Sequence, residues 1–214
     1  MSIGLSLISK KGAAVASDGI RMSPRGEAED DFDKTFSLDD PRIIGIHVGL
    51  TDFQGATNAQ HIKDIIVQNS SVCMNDVVAT VASKLSERLE SSGITALDRR
   101  VELILVGRKD LSLGEFEIHT IDFKPAPNGK IAVTSARYKD AGAYAHSGDD
   151  QARAAAKEVI EAAQTKRSAL RVRKLKELAE RAIRAGVKHC GPHPNFPDQP
   201  ACAGGPYTKV LYYS

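Results

Sequence analysis

The first seventeen residues dictate how this chain begins. Between residues 2 and 9 the apolar Ile3, Leu5 and Leu7 alternate with serine and glycine, which is the period of a half-buried β-strand. Lys10, Lys11 and Gly12 then turn the chain, and residues 13–17 read as the returning strand of a hairpin. A return of this length sets Asp18 beside Ser2. A third strand, Thr35–Leu38, begins next to Lys34, so one serine, one aspartate and one lysine are expected together at neighbouring strand ends.

Those three residue types support one chemistry. Methionine aminopeptidase of the cytosol removes Met1 ahead of a small residue, and Ser2 then carries both a hydroxyl and a free α-amino group, nucleophile and general base on one residue. An α-amine has a reference pKa of roughly 7.7–8.0, so near neutral pH a useful fraction accepts the hydroxyl proton, directly or through a water. No histidine is needed. A lysine against the hydroxyl lowers its pKa electrostatically, and an aspartate beside the lysine fixes its position and charge. Taken singly, the residues have ordinary explanations: Ser2 as an inert terminus, Asp18-Gly19 as a turn, Lys34 as a solvated charge at a strand edge.

Taken together they resemble the proteasome β-type subunits, a family that includes the bacterial HslV peptidase. Its N-terminal nucleophile is followed sixteen residues later by an Asp and thirty-two residues later by a Lys, the spacing of Asp18 and Lys34 from Ser2. Val15-Ala16-Ser17-Asp18-Gly19 resembles the family's strand-ending Asp motif, and Lys34-Thr35-Phe36 its Lys at a strand start. Ile43–Gly49, followed by Asp52, is similar to an apolar strand ending in a glycine whose N–H serves the oxyanion hole, a role that falls to Gly49. Tyr144-Ala145-His146-Ser147-Gly148 resembles a Gly-Ser-Gly segment whose serine supports the nucleophile's amine. Ser147 takes that role, with His146 in place of the usual glycine. Near the C-terminus the chain departs from the pattern: Pro200 and Ala203 stand where the family carries an Asp and a Ser around the amine, and Asp198 lies close by in sequence.

The resemblance implies an α+β chain built as a four-layer αββα sandwich of the N-terminal-nucleophile hydrolase type, one domain over residues 1–214. It implies a threonine-type peptidase with Ser2 as nucleophile, in a homo-oligomeric double ring of six or seven subunits per ring. Peptides or unfolded proteins would be its substrates and an unfoldase ATPase a candidate partner. Two other readings stay open. One is an N-terminal-serine amidase acting on a small molecule; the other is a catalytically silent ring subunit serving as a scaffold, which Pro200 and Ala203 make credible.

Composition narrows the field. A chain of 214 residues suits one domain with a substantial core and no need of disulfides. The net charge of +2 is too small to argue for nucleic acid or an anionic membrane surface. No apolar run approaches the roughly 18 residues of a membrane span, and no signal-peptide pattern opens the chain, so a cytoplasmic location is expected. Cys73, Cys190 and Cys202 are odd in number and expected to stay reduced. His189, Cys190, His193 and Cys202 include a Cys-x-x-His pair, but their spacing matches no zinc template and Pro192, Pro194, Pro197 and Pro200 read as an extended loop. We therefore expect no metal and no cofactor.

Periodicity supplies the remaining elements: helices over residues 51–69 and 75–92, strands over 101–106, 116–123, 131–136 and 143–145, a helical region over 150–185 broken near 164–168, and a last strand over 208–213. Lys166, Arg167, Arg171, Arg173, Lys174, Lys176, Arg181 and Arg184 crowd the second half of that region. Leu170, Leu175, Leu178 and Ile183 give it an apolar face, so it reads as a solvated amphipathic helix.

Overall fold

The alternation of the opening strand serves two covered faces. In the computed structural model, which describes residues 2–22, 28–29, 31–39, 42–50, 52–69, 71, 73–93, 101–111, 114–126, 128–193 and 196–212, every residue of β1 (Ile3–Ser9) is buried. Its large residues Ile3, Leu5 and Leu7 pack under two helices, whereas Gly4 faces a second sheet. A Cβ on Gly4 would stand 3.1 Å from the side chains of both Ile46 and Val48. Small residues on that face let the sheets approach, which is why large and small alternate where one wet face had been expected.

The other principal strands are β2 (Gly12–Ser17), β3 (Thr35–Leu38), β4 (Ile43–Gly49), β5 (Val101–Arg108), β6 (Phe116–Pro125), β7 (Ile131–Tyr138), β8 (Tyr144–Gly148) and β9 (Tyr207–Tyr212). Four α-helices accompany them among the described residues: α1 (Asn58–Gln68), α2 (Met74–Ser91), α3 (Asp150–Glu161) and α4 (Val172–His189). The strands form a four-stranded sheet in the order β8-β1-β2-β9 and a five-stranded sheet in the order β7-β6-β5-β4-β3, with antiparallel neighbours throughout. The chain is thus a mixed α+β protein.

Three apolar clusters hold these parts together. Ile3, Leu5, Leu7, Ala14 and Ala16 meet Ala152, Ala156 and Ile160 of α3 and Leu175, Leu178, Ala179, Ala182 and Ile183 of α4. Ile8, Ala13 and Val15 meet Ile44, Ile46, Val48, Ile104, Val106 and Ile118 between the two sheets. On the far face of the second sheet, Leu103, Leu105, Ile121 and Phe123 pack against Ile62, Ile65, Val77, Val81 and Leu85 of α1 and α2.

Two expectations need correction. Residues 52–57 form a short hairpin, Asp52–Phe53 against Ala56–Thr57, so α1 starts only at Asn58, capped by the Thr57 side chain. Gln54 (φ 50°) and Gly55 (φ 77°) adopt left-handed conformations that end any helix, and an apolar count across residues 51–69 does not register them. The proline-rich loop after α4 is also a hairpin, Pro192–His193 against Phe196–Pro200. The break expected near residues 164–168 is present as a 3₁₀ turn, Gln164–Ala169. The basic stretch behaves as expected of an amphipathic helix: α4 buries Val172, Leu175, Leu178 and Ile183 and exposes ion pairs such as Lys174–Glu177 at 2.6 Å. No helix among the described residues is long and apolar enough to cross a membrane.

Helices α3 and α4 approach so closely that Gly186 of α4 faces the backbone of α3: a Cβ there would sit 2.9 Å from the Ala152 carbonyl oxygen and overlap the Ile3 side chain. In an open helix, glycine to alanine stabilises by about 1 kcal/mol. Here Gly186→Ala is expected to destabilise by about 1–3 kcal/mol in chemical denaturation, because the Ala152 carbonyl can withdraw only if α3 moves and the Ile3 side chain must change its rotamer.

Candidate active site

Ser2 lies just ahead of β1, 3% exposed, and the end of β8 straps it down. The Asp149 N–H donates to the Ser2 carbonyl oxygen at 2.8 Å. Gly148, at φ +102°, lies so near that any side chain would overlap that carbonyl, so this place admits only glycine. Asp149 then caps α3, its carboxylate accepting the Ala152 N–H at 2.9 Å.

Asp18 is placed by backbone on three sides. Its N–H donates to the Ile3 carbonyl at 3.1 Å, and the Ile3 N–H returns to Asp18 Oδ1 at 3.0 Å, which fixes the carboxylate at the head of β1. Next to it, the Gly19 N–H donates to the Ala203 carbonyl and the Phe32 N–H to the Gly19 carbonyl, both at 2.8 Å. Gly205, at φ 72°, presses on the same turn, where a Cβ would come within 2.8 Å of the Ser17 carbonyl oxygen.

Lys34 comes from the second sheet. Its carbonyl accepts the His47 N–H at 3.1 Å, and Asp33 holds the first residue of β3 by accepting from the Thr35 N–H at 2.8 Å and the Thr35 hydroxyl at 2.6 Å. The side chain reaches the first sheet, where Nζ donates to Ser2 Oγ at 2.5 Å and to Asp18 Oδ1 at 2.8 Å. Both ionic side chains are essentially inaccessible to solvent. Burial pushes the Asp18 carboxyl up, opposed by the Lys34 ammonium and the N–H groups of Ile3 and Ile20.

This arrangement favours an alkoxide. An ammonium donating to a serine oxygen stabilises negative charge on it, and with the Lys34 proton already on Oγ, the hydroxyl's own proton points to another acceptor. The structure therefore brings together Ser2, Asp18 and Lys34. Gly49 and Ser147 lie at adjoining strand ends without a hydrogen bond to Ser2. Gly49 closes β4 at φ +95°, exposed, two residues beyond the His47 that pairs with Lys34. Ser147 stands opposite Gly4, its Oγ buried and without a partner.

Two neighbours carried no sequence motif. His47 is 1% exposed with neither ring nitrogen bonded, edge-on to Phe32 at 6.2 Å between ring centres. Burial, aided by the Lys34 charge and opposed by Asp33, pushes the imidazole down to about 3. Glu102, near the start of β5, accepts the Gly148 N–H at 3.3 Å. A lone histidine or glutamate inside an apolar strand was visible in the sequence, but only the register of β3, β4 and β5 shows what each one faces.

The C-terminal segment contributes backbone where an Asp and a Ser were lacking. The Ala203 carbonyl holds Gly19, Pro200 is exposed at the end of the hairpin, and Asp198 is exposed. Cys190 and Cys202 meet, the Cys190 thiol donating to the Cys202 carbonyl at 3.2 Å, and burial pushes the Cys202 thiol up. Among the described residues no three His, Cys, Asp or Glu side chains gather as a metal site, and the cysteines are free thiols.

Against protein-family models and against curated proteins the chain finds no match. Solved structures are similar along nearly its whole length. Anbu (ancestral beta-subunit) from Yersinia bercovieri superposes with a TM-score of 0.65 at 12% identity, covering 99% of this chain and 81% of that one. A mutant Anbu from Hyphomicrobium sp. strain MC1 gives 0.64 at 12% identity, covering 100% and 82%. Eukaryotic HslV from Trypanosoma brucei gives 0.54 at 11% identity, covering 99% of both chains. The chain has a proteasome-like fold. At this identity the likeness speaks for the backbone plan, and the Ser2, Asp18 and Lys34 geometry stands on its own distances.

The unpartnered His47 has a consequence for acid stability. The unfolded chain takes up a proton on this histidine near pH 6.5, the folded chain only near pH 3, so stability is complete above 6.5 and drains away as the pH falls between those values. Denaturation measured from pH 7 to 4 is expected to show His47→Phe gaining on the unsubstituted protein, by about 3 kcal/mol at the acid end. Parallel curves would show that the imidazole titrates normally in the folded chain.

Proposed function

We propose that this chain is a proteasome-like peptidase subunit of the N-terminal-nucleophile class, with Ser2 as nucleophile once Met1 has been removed. The observation that carries the reading is Lys34 Nζ at 2.5 Å from Ser2 Oγ and 2.8 Å from Asp18, buried in a chain whose fold is that of Anbu and HslV. In the proposed reaction the α-amine of Ser2 accepts the Oγ proton, Oγ bonds to the peptide carbonyl carbon, and the carbonyl π electrons become an oxyanion. Lys34 favours the charge on Oγ, Asp18 holds Lys34, and the Gly49 N–H at the exposed end of β4 is the oxyanion donor. Ser147, with its unused hydroxyl, helps orient the amine. Collapse of the tetrahedral adduct passes the proton to the departing amine, and water then releases the acyl group from Ser2.

The helix-sheet-sheet-helix stacking of the three apolar clusters supports the four-layer αββα sandwich, as one domain over residues 1–214. By the same resemblance the subunit assembles into a cytoplasmic double ring of six or seven copies per ring, taking peptides or unfolded proteins, with an unfoldase ATPase as its candidate partner. A second reading, a silent scaffold subunit, is favoured by Pro200 and Ala203, which offer the amine no side-chain oxygen.

A β-lactone probe followed by mass spectrometry separates the two. The Met1-free protein is expected to gain one adduct on Ser2 and to cleave fluorogenic peptides. Ser2→Ala should lose the adduct, and Lys34→Met should lower both acylation and cleavage by about a thousandfold or more. An assembled, Met1-free protein that takes no label is a scaffold.

A further inference from the structure

Two cysteines face each other across the hairpin that follows α4. Pro192 pairs with Pro200, and the Ala201 N–H donates to the Gly191 carbonyl at 2.9 Å. Continuing that register two residues outward from the Pro192–Pro200 pair sets Cys190 directly opposite Cys202. Because the bond falls at residues 191 and 201, Cys190 and Cys202 take the alternate, non-hydrogen-bonded kind of position, where antiparallel Cα atoms stand about 4.5 Å apart. A disulfide spans Cα separations of about 4.4–6.8 Å. The side chains agree with that register. The Cys190 thiol donates to the Cys202 carbonyl at 3.2 Å, the Cys202 N–H donates to Cys190 Sγ at 3.3 Å, and the two thiols are in hydrogen-bond contact. Both are free.

Their surroundings differ. Cys190 caps the end of α4 and is half-buried, whereas Cys202 lies buried in the apolar cluster that holds Ile3 and Ala16. Burial, then the charge of Asp18, pushes the Cys202 thiol up, so it meets an oxidant as an inert thiol and Cys190 is the sulfur that reacts first. Each cysteine also borders a peptide of the candidate site. Cys202 precedes Ala203, whose carbonyl accepts the Gly19 N–H at 2.8 Å beside Asp18. Cys190 precedes Gly191, whose N–H donates at 3.5 Å to the carboxylate of Asp149, the residue whose own N–H holds the Ser2 carbonyl. A bond between the two sulfurs therefore joins the end of α4 to the backbone that fixes Asp18.

We propose that Cys190 and Cys202 are a redox modification site, oxidised by a low-molecular-weight disulfide to an intramolecular disulfide that staples the turn carrying Asp18 to the end of α4. The Cys190 thiolate attacks one sulfur of the small disulfide, forming a mixed disulfide and releasing one small thiolate. Cys202 then attacks Cys190 Sγ and expels the second small thiolate. The two protons lost by the cysteines end on the two departing thiolates, so two protein thiols are oxidised and one small disulfide is reduced to two thiols. A thiol reductant reverses the step by attacking Cys190, the less buried sulfur. The free thiols of this structure are the reduced state, and the inference stands apart from any role of Ser2 as nucleophile.

Oxidised glutathione, added to the folded protein and followed by peptide mapping without reduction, tests the bond in the unsubstituted chain. The expected product has lost two hydrogens, carries the peptides of Cys190 and Cys202 joined, and keeps Cys73 as a thiol. Hydrogen exchange then tests the staple. Opening the Gly19 N–H requires the segment after Cys202 to leave the Asp18 turn, so oxidation is expected to slow Gly19 exchange about tenfold or more, and dithiothreitol to restore the original rate. Cys190→Ser, at the half-buried position, should show neither the joined peptides nor the slowing, while Cys73→Ser should behave as the unsubstituted protein. Glutathione retained on Cys190 without closure, no reaction at either cysteine, or closure that leaves Gly19 exchange unchanged overturns the inference.

Discussion

A lysine ammonium buried between two sheets is the constraint around which the rest of this structure is arranged. Lys34 belongs to the second sheet, yet Ser2 and Asp18, which its ammonium touches, stand at the ends of strands in the first. Removing such a charge from water costs several kcal/mol, and a single opposed carboxylate seldom recovers it without further bonds. The surroundings are accordingly over-determined: Ile3 and Asp18 exchange reciprocal bonds, Asp33 fixes the first residue of β3, and Gly19 is held from two sides by Phe32 and Ala203. A protein selected for stability alone would fill this space with apolar side chains. In the proposed reaction the ion pair beside the serine oxygen is the charge that favours the alkoxide.

The same economy explains how the C-terminal segment is used. Residues 201–205 provide no polar side chain to Ser2, but their backbone closes the turn that carries Asp18, and Gly204 and Gly205 take left-handed conformations to lie against it. Backbone contact tolerates changes of side chain. The position of Asp18 is therefore independent of the side chains that stand at residues 200 and 203.

Much of the plan was legible because it rests on local periodicity. The hairpin of β1 and β2 follows from the alternation of large and small residues and brings Asp18 back to the head of β1, whereas the place of Lys34 was legible through the family resemblance. The break between α3 and α4 and the apolar face of α4 were legible for the same reason. What stayed hidden depends on tertiary register or on single backbone angles. Residues 52–57 have helix-compatible side chains but carry a left-handed Gln54 and Gly55, and the hairpin after α4 looks in sequence like a run of prolines. His47 and Glu102 became neighbours of the site only when β4 was seen to lie between β3 and β5.

That register also sets the electrostatics. Along β4, His47 pairs with Lys34 on one side while Val48 pairs with Glu102 on the other, so adjacent residues relay a cationic strand end to an anionic one across a single strand. A second positive charge at His47 would lie against Lys34, and burial together with that repulsion keeps the imidazole neutral. The site is thereby left with Lys34 as its buried cation among these residues, Asp18 directly bonded to it, and Glu102 displaced toward the strap over Ser2. A cation at the hydroxyl with a neutral imidazole behind it is what the proposed reaction asks of this place, since negative charge develops on Oγ.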